Sequence, residues 1–97
     1  MIEVHLDRHI ITVKGHASRP EGAKPGQNIV CAAVSALTLT LISGLEDIAQ
    51  DRIAYSAETG DVVIEWDTIS DIGSSLISTW FLGILRIQDA YGEILII

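Results

Sequence analysis

The stretch GHASRPEGAKPGQNIVCAAVSAL, beginning at Gly15, holds the only cysteine of the chain, Cys31, and one of its three histidines, His16. A thiol and an imidazole are the minimum pair for acyl transfer at an amide: the sulfur attacks as thiolate, and the imidazole takes its proton and later protonates the leaving amine. A free thiol with a pKa of about 8.5 is only slightly ionised at neutral pH, so such a pair needs surroundings that favour the anion. A helix N-terminus and a neighbouring imidazolium both do so. Asn28 is a good N-cap, which makes Cys31 the third helical residue and puts its sulfur beside the positive end of the helix dipole. The backbone N–H groups of Ile29, Val30 and Cys31 then lack intrahelical partners and are candidate oxyanion donors. Ser35, one turn beyond Cys31, either reaches the site or bonds back to its own helix. Gly15, Gly22 and Gly26 are candidate hinges of the intervening loop, although ordinary turn chemistry explains them equally well. By spacing alone the pair is a weak signal, because a lone cysteine is ordinarily a small buried hydrophobe.

The elements that must position this pair follow from periodicity. Ile2, Val4 and Leu6 alternate with Glu3 and His5, and Ile10 to Gly15 is again β-branched, so the two runs predict a hairpin turning at Asp7-Arg8-His9. Ala17 to Gln27 carries both prolines, Pro20 and Pro25, without apolar periodicity, and is predicted as a loop. From Asn28 the positions Val30, Ala33, Val34, Leu37, Leu41, Leu45 and Ile48 recur at helical spacing, in a helix apolar nearly all round. Ile53 to Ser56 and Val62 to Trp66 predict a second hairpin, with Glu58-Thr59-Gly60-Asp61 as its turn. After the capping residues of Asp67 to Asp71, a stripe of Ile72, Leu76, Trp80, Ile84, Ile87 and Tyr91 predicts a second helix, ended by Gly92-Glu93. The terminal ILII is expected to be a buried strand, pairing with the chain start or with a partner subunit. The fold class is therefore α+β: one two-layer domain over residues 1–97, a mostly antiparallel sheet with helices packed on it, in the order β-β-α-β-β-α(-β). Both helices have more apolar surface than one sheet covers, which points to a homodimer. Trp66 and Trp80 are expected in the core or a dimer contact, and His5 and His9 in solvent.

Composition narrows the function classes. The chain has 97 residues, 48% of them hydrophobic, which fits a packed globule. Thirteen acids against six bases give a formal charge of −7, the wrong sign for binding nucleic acid directly. One cysteine forms no internal disulfide, and no ligand cluster surrounds the histidines, so neither a metal nor another cofactor is expected. No secretory leader is legible, and the near-apolar run from Ile29 to Leu45 is short for a membrane span and carries hydroxyl residues. A soluble cytoplasmic protein without a membrane partner is the expectation.

The wording of the opening stretch is more specific than its spacing. GHA after a strand, a glycine-bearing loop, then NIVCAAVSAL opening a helix resembles the ribosomal-processing cysteine protease family (Prp), and the element order, GLEDIA closing the first helix, and the chain length resemble it too. The resemblance implies a homodimeric cytoplasmic cysteine endopeptidase with His16 and Cys31 as its dyad. It implies removal of an N-terminal extension from a large-subunit ribosomal protein, or, as in phage relatives, processing of a capsid or scaffold protein. It also implies that the loop between the dyad residues orders around a peptide. Two departures stand out. Asn28 occupies a position where the family usually has Asp; this keeps the cap but removes a charge, which weakens any orienting of the imidazolium while sparing the thiolate a like charge. The loop is long for the family and holds two prolines, which favours a different substrate, as in the phage relatives. The alternative outside enzymology is a binding module of the same fold without catalysis.

Overall fold

A computed structural model describes residues 1–17 and 28–97. Among these residues the order is β1 (Ile2–Leu6), β2 (Ile10–Gly15), α1 (Ile29–Asp47), β3 (Ala54–Glu58), β4 (Asp61–Glu65), α2 (Asp71–Tyr91) and β5 (Ile94–Ile96). The strands form one sheet in the order β3-β4-β2-β1-β5, antiparallel except for the parallel β1–β5 pair. The expected α+β class and element order are found. The C-terminal segment is a strand, and it pairs with the chain's own start: Ile2 faces Ile94, Val4 faces Ile96, and the Ile97 N–H donates to the Val4 carbonyl at 2.9 Å.

Period-two alternation gives the sheet one apolar face. Ile2 and Val4 of β1, Ile11 and Val13 of β2, Ile64 of β4 and Ile94 of β5 are buried, and they share a core with Val30, Val34, Leu41 and Leu45 of α1 and Ile77, Trp80, Ile84 and Ile87 of α2. By length and composition α1 would suit a membrane span, with a mean hydropathy of 1.9, but its inner stripe is part of this core. Both tryptophans are buried, as expected of core residues.

The helices pack against each other antiparallel, with Leu37 against Gly83 and Gly44 beside Leu76. At their crossing the Trp80 Nε1–H donates to Thr38 Oγ1 at 3.1 Å, and that hydroxyl donates to the Val34 carbonyl at 2.8 Å. The start of α2 is fixed by Asp51: Oδ1 accepts from the Ser70 N–H at 3.0 Å and Oδ2 from the Ser70 hydroxyl at 2.9 Å. Ser70 Oγ in turn caps the helix by accepting from the Gly73 N–H.

The second hairpin differs from the sequence expectation in its bounds. β3 begins at Ala54 rather than Ile53 and extends to Glu58, and β4 spans Asp61–Glu65 rather than Val62 to Trp66. The reason is a tight Thr59-Gly60 turn that pairs Glu58 with Asp61 and so sets the register of the whole ladder.

Candidate active site

Cys31 enters through helix capping. Asn28 has extended backbone geometry, with φ −86° and ψ 101°, and its Oδ1 accepts from the Cys31 N–H at 3.0 Å. That places Cys31 in the first turn of α1, half-buried, with its sulfur accepting from the Ala17 N–H at 3.2 Å. Ala17 is itself held, because its carbonyl accepts from Asn28 Nδ2 at 2.8 Å. His16 enters through the end of β2. Gly15 closes that strand at φ +98°, and the Gly15 N–H donates to the Gly60 carbonyl at 2.9 Å, joining the strand end to the Thr59-Gly60 turn. The His16 carbonyl accepts from the Met1 amino group at 2.7 Å.

The imidazole of His16 lies over Gly60. A Cβ at position 60 would stand 2.6 Å from His16 Cε1 and would overlap Nε2, so only glycine fits beneath the ring in this geometry. Gly60 also sits at φ +73°, where glycine alone avoids strain. His16 and Cys31 both line a cavity of about 160 Å³ between the sheet and α1. Its apolar wall is formed by Ile2, Val13, Val34 and Val62, and Ser35, Thr38, Glu58 and Asp61 add polar groups. A wider hollow of about 510 Å³ shares His16, Cys31, Ser35 and Thr59 and reaches Asn28 and Ala32. A half-buried thiol at a helix start, an exposed imidazole on the facing loop end and a cavity touching both are the parts that cysteine-based acyl transfer requires.

The sequence-predicted residues fall out as follows. His16, Cys31, Asn28, Ser35 and Gly15 converge on this site. Ile29 is exposed and the Val30 side chain belongs to the core, so these two contribute only backbone. One expectation is corrected: the Cys31 N–H is not an open oxyanion donor, because the Asn28 side chain occupies it, which leaves the Ile29 and Val30 N–H groups of the unpaired first turn. The expected hinges Gly22 and Gly26 fall at 18–27, outside the described residues. Sequence reasoning missed Ala17 as a donor to sulfur, and Gly60 and the Glu58–Asp61 turn as part of the site. The Thr-Gly turn was visible, but its place beside His16 depends on β4 pairing with β2, which no local pattern encodes. Among the described residues no cluster of His, Cys, Asp and Glu is placed to hold a metal ion.

Residues 1–95 match the family described as cysteine protease Prp. The chain belongs to the Prp family of cysteine proteases. Comparison with curated proteins finds no match. Among solved structures, the ribosomal processing protease Prp of S. aureus with a covalently linked product peptide is similar, with a TM-score of 0.81 at 19% identity over 98% of this chain and 94% of that one. The same protease with a substrate peptide gives a TM-score of 0.72 at 17% identity over 99% and 95% of the two chains. SMU.848 of Streptococcus mutans gives 0.80 at 26% identity, again over 99% of this chain and 95% of that one. At such identities the two S. aureus likenesses establish the fold, and the family match establishes the class of enzyme.

Proposed function

We propose that the chain is a cysteine endopeptidase that removes an N-terminal extension from a large-subunit ribosomal protein, with Cys31 as nucleophile and His16 as general base. The observation that carries this reading is the cavity lined by both side chains at the start of α1. The peptide complexes of the S. aureus protease support a peptide as substrate. The Cys31 sulfur attacks the scissile carbonyl carbon while the S–H proton passes to the His16 imidazole. The tetrahedral adduct collapses, the C–N bond breaks, and the imidazolium gives its proton to the leaving amine. Water then attacks the thioester as His16 takes its proton, the C–S bond breaks with the Cys31 sulfur leaving as thiolate, and the peptide acid departs. The Ile29 and Val30 N–H groups are the donors available to the oxyanion. We assign the same enzyme to the cytoplasm and to a homodimer, and we assign it no cofactor. The length and the two prolines, Pro20 and Pro25, of the stretch between Ala17 and Asn28 favour the alternative reading, a phage-type relative that processes a capsid or scaffold protein.

Alkylation tests the dyad directly. Iodoacetamide is expected to label Cys31 rapidly at pH 6, and His16→Ala to slow labelling there by about a hundredfold, the lower end of what a lost general base costs. Labelling that rises only near the ionisation range of a free thiol, indifferent to His16→Ala, sinks the catalytic reading and leaves a peptide-binding module. Peptides spanning the ribosomal-protein extension and a capsid-protein junction, assayed side by side, decide the substrate: cleavage of the second alone overturns the ribosomal assignment.

A further inference from the structure

We infer that Asn28 is a positioning residue for the nucleophile: its carboxamide staples the segment that follows His16 to the helix that carries Cys31, and so holds the Ala17 N–H on the sulfur. The inference rests on the reading of Cys31 as nucleophile. Three hydrogen bonds close a ring between residues 17 and 31. Asn28 Oδ1 accepts from the Cys31 N–H at 3.0 Å, Asn28 Nδ2 donates to the Ala17 carbonyl at 2.8 Å, and the Ala17 N–H donates to Cys31 Sγ at 3.2 Å. Ala17 is 6% exposed, so its backbone has little water to fall back on if these bonds are lost.

The chemistry selects the carboxamide. The two partners, an N–H and a C=O, fix which end of the amide is oxygen and which is nitrogen. A carboxylate here accepts from the Cys31 N–H but has no donor for the Ala17 carbonyl, and would face that carbonyl with a negative oxygen. Serine accepts as a cap but is too short to span to Ala17. Asn28 thus does more than start α1: it joins the two chain segments that bring the thiol and the imidazole to one cavity. An N–H aimed at sulfur strengthens as charge gathers there, so its placement bears on the attacking species.

Asn28→Ser and Asn28→Asp separate this role from capping, since both keep an N-cap acceptor. With the staple lost, iodoacetamide labelling of Cys31 at pH 6 is expected to fall about tenfold in the neutral serine variant, the scale of one hydrogen bond to a charged group, with the difference closing at high pH. The melting temperature should stay within a few degrees of the parent, as expected for one good cap replaced by another. Asn28→Asp should label slowly too. Independently of reactivity, hydrogen exchange at the Ala17 amide should be slow in the parent and fast in both variants. Variants that label within twofold of the parent at pH 6 overturn the inference, whether or not Ala17 exchange changes. So does an Ala17 amide equally protected in all three proteins. A parent that labels as an ordinary thiol, indifferent to His16→Ala, instead removes the catalytic reading; the exchange data then still report whether the staple exists.

Discussion

The contact between His16 and Gly60 shows how little the site tolerates at single positions. The imidazole rests where a side chain at 60 would be, so Gly60→Ala must move the ring or the turn. Alanine also meets strain at φ +73°, costing about 1–2 kcal/mol. Asparagine separates the two effects: it accepts a positive φ more readily but carries the same Cβ. If the seat under the ring matters, both variants should label at pH 6 about as slowly as His16→Ala; recovery in Gly60→Asn would show that backbone strain alone was responsible. The chemistry-bearing residues at this scale were legible because their signals are local. A cap, a cysteine three residues after it and a His closing a strand all lie in one short stretch. What was not legible were the contacts that tune them from elsewhere in the chain: the Ala17 N–H on the sulfur and the glycine beneath the ring. Each depends on distant segments meeting, and a glycine in a hairpin turn looks the same whether or not a histidine lies on it.

Between elements, one buried hydroxyl couples the two helices. Thr38 is 1% exposed, accepts from Trp80 on α2 and donates to its own helix, and it also lines the site cavity. Thr38→Val keeps the shape but leaves the indole N–H buried without an acceptor, which costs about 1–3 kcal/mol. Thermal melting should show a fall of about 5–20 °C for a domain of this size. Thr38→Ser, which keeps the hydroxyl and loses a methyl, should recover most of the loss; a serine variant as unstable as valine would show that packing, not the hydrogen bond, holds the helices. The helices themselves were readable from their 3.6-residue stripes, and β1 and β2 from strict alternation. β3 was misplaced at its start because all five of its residues are exposed at the sheet edge, so no buried face marks its register; the Thr59-Gly60 turn sets it instead. The Thr38–Trp80 bond left no trace in the pattern, since a threonine in a helical stripe reads as a small packing residue.

For the whole molecule, the sequence called for a final strand but left its partner open, and the structure closes it in parallel beside β1. Parallel pairing across nearly the full chain is a property of the fold and not of any window within it. That closure leaves the outer surfaces of the helices to account for. Leu39 of α1 is 51% exposed and Leu82 of α2 is 62% exposed, on antiparallel neighbours, and Ile29, Ile48 and Ile72 are also largely exposed. Covering such groups with a second copy is the physical basis of the proposed homodimer. Sedimentation is expected to give twice the 10.5 kDa chain mass, and Leu39→Glu or Leu82→Glu to return it to that of one chain. The formal charge of −7 on each copy opposes association, so the dimer should tighten as salt rises and the Debye length shrinks from about 30 Å at 0.01 M to about 8 Å at 0.15 M. A single-chain mass at micromolar concentration and moderate salt removes the dimer; a dimer indifferent to both glutamates keeps it but moves its interface off this helical face.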